Sequence, residues 1–124
     1  MAIILSITGS DGTGGSGIQA DIKTISVLGG HPVSAITSVT MQNTLGIQAV
    51  YDLPAETVRG QIEAIINDVQ LDTVHIGLVR NAETLAVVVE TLQKYRPKFV
   101  VYDPVVTASN GDKPVSYTHL TLPT

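Results

Sequence analysis

Thr8 to Asp21, read T-G-S-D-G-T-G-G-S-G-I-Q-A-D, limits what this chain can fold into more than any other stretch. Five of its residues are glycine (Gly9, Gly12, Gly14, Gly15, Gly17), with an apolar run, Ala2 to Ile7, before it and a helical pattern after it. Glycine reaches positive φ without penalty and lets a ligand approach the backbone closely. A linker would also be rich in glycine, but linkers do not usually separate a buried strand from an amphipathic helix. Strand, turn and helix N-terminus in succession gather unpaired N–H groups and the positive end of a helix dipole in one place. The stretch therefore reads as a ligand-binding turn.

Two familiar nucleotide motifs fit it poorly. Gly12 to Gly17 matches G-x-G-x-x-G, but that fingerprint wants an acid about 20 positions on to hold a ribose hydroxyl. No Asp or Glu lies between Asp21 and Asp52. A phosphate-cradling P-loop needs a Lys-Ser/Thr pair after the glycines, and none follows.

With 124 residues the chain has room for one domain, and 44% hydrophobic with 15% charged residues suits a globular α/β protein. A net charge of −4 gives no electrostatic footprint for nucleic acid or an anionic membrane. Three scattered His and no Cys leave neither a disulfide framework nor a zinc site. The apolar start lacks a basic n-region, and no run approaches the about 18 apolar residues of a membrane span. A soluble, cytoplasmic protein with no nucleic-acid or membrane partner is expected.

Periodicity supplies the remaining elements. Ile18, Ile22, Ile25 and Leu28 recur at helical spacing, and Gly29-Gly30 ends that helix. Pro32 to Met41, rich in Val, Ile and Thr, reads as a second strand ending Thr40-Met41-Gln42-Asn43. Asn43 to Tyr51 reads as a connection with possible extended structure. Asp52 is the expected N-cap of a second helix with Pro54 in its first turn and an apolar stripe Val58, Ile62, Ile65, Ile66, Val69. Asp72 to Gly77 is a third strand, Asn81 caps a third helix (Leu85, Val88, Val89, Leu92), and Lys98 to Tyr102 is a fourth strand closed by Asp103-Pro104. Alternating strands and helices imply a parallel sheet, with ligands beyond the C-terminal strand ends. Thr8–Gly17, Gln42-Asn43, Gly77-Leu78 and Asp103-Pro104-Val105 should converge there. His31 and His75 read as unpaired surface or strand-end residues.

The same segments carry a resemblance. G-S-D-G-T-G-G-S-G-I-Q-A-D-I-K-T, A-I-T-S-V-T-M-Q-N-T, I-G-L and Y-D-P-V-V-T-A-S-N-G-D-K resemble, in order and spacing, the hydroxymethylpyrimidine/phosphomethylpyrimidine kinases of thiamine biosynthesis, from about Ile4 to Lys113. The resemblance implies a three-layer ribokinase-like α/β fold, a parallel sheet flanked by helices, here cut off after about four strands. It implies an ATP- and Mg²⁺-dependent kinase acting on a small-molecule pyrimidine, with a possible homodimer for the full-length protein. It places Ser16, Asp21, Gln42, Leu78 and Val105 at the substrate and Asp103 near the phosphates and Mg²⁺. Read without the resemblance, Asp21 could equally be a first-turn acid serving the helix dipole, Gln42 a solvated strand end and Asp103 a turn starter. Ser16 stands where the family usually has Ala, Leu78 where it has Met, and Gly12 where it has Pro.

The family is longer, and its second half supplies the nucleotide site and a second glycine turn, so this chain alone is expected to lack kinase activity. Residues 1–113 are the expected N-terminal half of the kinase domain. Residues 114–124 (P-V-S-Y-T-H-L-T-L-P-T) have no charge and no helical period, and resemble translated sequencing-adapter read-through. They are expected to be a non-native tail. The alternatives are a pyridoxal kinase-like relative, a dinucleotide-binding oxidoreductase domain and, more remotely, a non-catalytic pyrimidine-binding protein.

Overall fold

The structure, a computed structural model, describes residues 1–103. Val105, the boundary at Lys113 and the tail 114–124 lie outside the described residues. In chain order the elements are β1 (Ile3–Thr8), α1 (Gly17–Val27), β2 (His31–Ile36), β3 (Ser38–Asn43), β4 (Gly46–Asp52), α2 (Ala55–Ile66), β5 (Thr73–Ile76), α3 (Ala82–Tyr95) and β6 (Phe99–Tyr102). Four strands form a parallel sheet in the order β2-β1-β5-β6, and β3 and β4 form a separate antiparallel pair. The expected α/β class and parallel sheet are present.

The chain leaves β1 towards β2 and then crosses back over β1 to reach β5. Right-handed crossovers in opposite directions place their helices on opposite faces. One face is apolar: Leu5, Ile7, Ala35, Val74 and Ile76 pack with Val58 and Ile62 of α2 and Leu85, Val88 and Leu92 of α3. On the other face, under α1, side chains of Ser6 and His75 alternate with that apolar row and meet Asp21 of the helix. Only Ile18 of α1 is buried; Ile22 and Leu28, read from spacing as core, are 37% and 81% exposed.

The expected second strand, Pro32 to Met41, is two strands in two sheets. β2 pairs with β1 residue for residue, from Ile3↔His31 to Thr8↔Ile36, so the partner strand runs out where β2 stops. Beyond it the chain breaks at Thr37 and pairs instead with β4, the segment read as a connection. Asp52 ends β4 and forms an ion pair with Arg80, its Oδ1 2.8 Å from Nε, while Pro54 takes the N-cap position of α2. The Asn81 cap is as expected, its Oδ1 accepting from Thr84 N at 2.8 Å.

Candidate functional site

The outgoing connections of β1 and β5 run to opposite sides, so the crevice of this sheet lies at their adjoining C-terminal ends, where α/β sheets take ligands. Gly77 N donates to Ile7 O at 2.8 Å, and Leu78 N donates to Thr8 Oγ1 at 2.7 Å. Only glycine fits at position 77, because a β-carbon there would stand 2.6 Å from Thr8 Oγ1. Asp103 N reaches back to Ile76 O at 2.9 Å, placing that exposed carboxylate at the same edge.

Asp11 organises the glycine turn, and sequence reading missed it. The residue is 4% exposed, and its carboxylate accepts from Thr13 N (2.9 Å), Thr13 Oγ1 (2.8 Å) and Ser16 Oγ (2.8 Å). Burial pushes its pKa up, but these bonds to the ionised form outweigh burial and leave it below the usual carboxylate value. The D-G-T sequence was a usable signal, since Asp bonding the N–H two residues on is an Asx turn. Ser10 N, Asp11 N, Gly14 N and Ile18 N also find partners within the protein. The turn is thus a largely self-satisfied wall rather than the row of unpaired donors its sequence suggested. Gly17, at φ 64°, lies so close to Gly9 O that a β-carbon would sit 2.4 Å from it.

The inner face of β3, Ser38, Thr40 and Gln42, is turned to this wall, while Val39 and Met41 face out. Ser10 N donates to Ser38 O at 2.9 Å, and Thr40 Oγ1 lies 2.6 Å from both Ser10 O and Gln42 Oε1. The β3–β4 register shifts between Met41 and Gln42, where Gln48 of β4 is the extra residue, and β3 keeps its alternation through Gln42. Leu78 stands beside Gly9, its Cδ2 3.1 Å from where a β-carbon of that residue would be. The structure therefore brings Gln42 and Leu78 to the glycine turn. Ser16 is at the turn too, as N-cap of α1, with its hydroxyl engaged by Asp11.

Asp21 sits one turn deeper. It is not a first-turn acid, as no acid occupies the first turn of α1. Its Oδ2 accepts a short hydrogen bond from Ser6 Oγ and lies 3.0 Å from His75 Nδ1. His75 is therefore paired, contrary to the reading from sequence, which could not see a partner 54 positions away on another element. The bond to Asp21 raises the His75 pKa above its ordinary value, burial opposes this, and the charges of Asp21 and Asp103 add to the rise. For Asp21 burial pushes upward, but the bonds from His75 and Ser6 and the His75 charge bring the pKa below the usual range.

Among the described residues no three His, Cys, Asp or Glu side chains cluster to hold a metal. Asp103 offers one carboxylate, which suits Mg²⁺, an ion often held by one or two carboxylates with waters and phosphate oxygens completing its shell. A cleft of about 360 Å³ lies at the opposite, N-terminal edge of the sheet, between Ile66–Leu71 and Tyr95–Lys98, and contains none of the predicted site residues.

The family model for phosphomethylpyrimidine kinase matches residues 11–121. The chain belongs to the phosphomethylpyrimidine kinase family. It is 48% identical over 111 residues to the hydroxymethylpyrimidine/phosphomethylpyrimidine kinase of Rhizobium meliloti, covering 90% of this chain and 41% of that protein. Phosphomethylpyrimidine kinase from Clostridium difficile superposes with a TM-score of 0.87 at 43% identity, over 94% of this chain and 50% of that one. Pyridoxal kinase from Staphylococcus aureus, solved with AMP-PCP, gives a TM-score of 0.78 at 26% identity, covering 90% of this chain and 41% of its own. The chain thus spans half or less of the length of these relatives. Membership of this kinase family sets aside the dinucleotide-oxidoreductase alternative, and the ribokinase-like fold expected from the sequence is that of these neighbours.

Proposed function

We propose that this chain supplies the pyrimidine-binding edge of a kinase that phosphorylates the hydroxymethyl oxygen of 4-amino-5-hydroxymethyl-2-methylpyrimidine and then its monophosphate. The observation that carries this reading is the closure of β3 onto the glycine turn, which sets the Gln42 amide and the Leu78 side chain around one crevice. An amide oxygen can accept from the exocyclic amine of an aminopyrimidine, and Leu78 gives the ring an apolar wall.

Ser16 would border the ligand through its place in the turn, and Val105 would extend the apolar wall. Asp21 meets Ser6 and His75 through Oδ2 alone, so its Oδ1 would remain able to accept from the substrate; its present bonds support a role in seating α1 and the turn above it. Asp103 would hold Mg²⁺, whose chemistry when bound is to neutralise charge on the phosphate oxygens of ATP. Phosphoryl transfer rests on positioning and charge stabilisation, so the present residues orient the acceptor hydroxyl and exclude water around it. Residues 1–113 act in this reading as the N-terminal half of the kinase domain and 114–124 as a non-native tail. Resequencing the parent DNA across the codons after Lys113 tests that division. A cytoplasmic location and a homodimer of the longer protein belong to the same reading.

Calorimetric titration of the 124-residue chain with the aminopyrimidine, alongside an ATP·Mg²⁺ turnover assay, tests the proposal. Binding without turnover is expected. Turnover by this chain would refute the need for the remaining half, and absence of binding would remove the pyrimidine assignment. The pyridoxal kinase-like alternative, favoured by the Staphylococcus aureus structural likeness, predicts instead that pyridoxal binds more tightly.

A further inference from the structure

Resting on the pyrimidine reading above, we infer that Thr40 is a positioning residue that turns the Gln42 amide so that its oxygen, not its nitrogen, faces the ligand. Thr40 Oγ1 stands 2.6 Å from Ser10 O and 2.6 Å from Gln42 Oε1, and a hydroxyl has one proton to give. The Ser10 carbonyl is fixed in the backbone and can only accept. The amide is different, since a half-turn about its last torsion exchanges oxygen for nitrogen in nearly the same place. With that half-turn Nε2 donates to Thr40 Oγ1, Thr40 Oγ1 donates to Ser10 O, and both contacts become hydrogen bonds.

Without the half-turn one 2.6 Å contact sets two acceptor oxygens against each other. The relay Gln42 to Thr40 to Ser10 is thus directional, anchored at the main chain of the glycine turn. Its free end is Gln42 Oε1, which the half-turn carries to the side where the amide group makes no hydrogen bond among the described residues. Position 42 becomes a reader of ligand N–H donors, such as an exocyclic amine on a heteroaromatic ring. It would reject a ligand with a carbonyl at that place, because two oxygens would face each other in a site partly closed to water.

The test uses the ¹⁵N-labelled 124-residue chain and two variants, Thr40→Val, which removes the hydroxyl, and Thr40→Ser, which keeps it. Nuclear Overhauser contacts from the Gln42 Nε2 protons to the Thr40 side chain are expected in the wild-type chain and in Thr40→Ser. In parallel, titration compares 4-amino-5-hydroxymethyl-2-methylpyrimidine with its 4-oxo analogue. The wild-type chain and Thr40→Ser should prefer the amine by about tenfold, the worth of one neutral hydrogen bond, and Thr40→Val should lose most of that preference. Missing Nε2 contacts in the wild-type chain, an equal or reversed preference there, or an undiminished preference in a folded Thr40→Val would each overturn the inference. Should Thr40→Val not fold, the wild-type contacts and the wild-type preference decide. If the contacts are present and neither pyrimidine binds, the amide is oriented as inferred and it is the substrate reading that has failed.

Discussion

His75 Nδ1 stands 3.0 Å from Asp21 Oδ2, a bond that ties β5 to α1 across the strand between them. Ser6 of that middle strand donates to the same carboxylate oxygen. The pair carries a pH dependence of definite sign. The His75 pKa is raised, so its contribution is fully present below the unfolded value of about 6.5 and is lost as pH rises through the folded value. The Asp21 pKa is lowered, so its contribution is present above about 3.8 and is lost as pH falls through its folded value. Thermal melts between pH 5 and pH 9 should therefore show a falling midpoint above neutrality. His75→Gln should flatten that slope and cost on the order of 1–2 kcal/mol near pH 6. An unchanged slope in the variant would show that the pair does not govern it.

Asp11 holds the glycine turn through three accepted bonds. Asp11→Ala should cost roughly 2 kcal/mol, with the loss partly offset by water at the exposed Thr13 and Ser16. Amide exchange at Thr13 and Gly14 should accelerate more than exchange in β1. Equal acceleration in both would mean that the aspartate supports the whole domain and not the turn.

Gly17 combines positive φ with a close approach to Gly9 O. Gly17→Ala should cost roughly 3 kcal/mol or more, because backbone strain and a backbone clash add. Gly12→Ala, where a β-carbon meets nothing within 4 Å, is the control and should be almost neutral. Chemical denaturation of the two variants separates them.

Arg80 and Asp52 join the foot of the β3–β4 pair to the loop after β5. Both side chains are partly exposed, so Arg80→Ala should change global stability by less than about 1 kcal/mol. Its effect should be local, as faster exchange of Leu53 N–H, which bonds Thr37 O. Protection at Leu53 equal to wild type would show that the ion pair does not steady this foot.

Phe99 and Val101 on β6 are 67% and 52% exposed, and among the described residues no strand pairs beyond β6. An open apolar edge invites association. Val101→Lys should raise the monomeric fraction of the 124-residue chain in light scattering; an unchanged fraction would place the association elsewhere.

Most of the helices and central strands could be read from sequence because each has a period that burial enforces, as with Val58 and Ile62 in α2 or Leu85, Val88 and Leu92 in α3. What could not be read depends on partners distant in the chain. The break at Thr37 follows from the length of β1, not from anything in the Val-Ile-Thr run itself. Asp52 looks like a helix cap until Arg80 is seen beside it, and His75 looks solitary until α1 is laid over β1. At the candidate site, Gln42 and Leu78 were named from motif order, Asp11 left only the local Asx-turn signal of D-G-T, and Thr40 emerges only from the geometry of the strand above the turn.

Thr37 is a single buried residue between two sheets, and each of its polar groups is committed. Its N–H goes to Thr8 O, its carbonyl accepts from Leu53 N, and its hydroxyl donates to Leu78 O. Both feet of the antiparallel pair are thus fastened to the strand ends that line the crevice. Ser10 holds β3 further along, through Ser38 O and the Thr40 hydroxyl. A ligand reaching the crevice would meet walls that have already given up much of their freedom, and little of its affinity would be lost in ordering them.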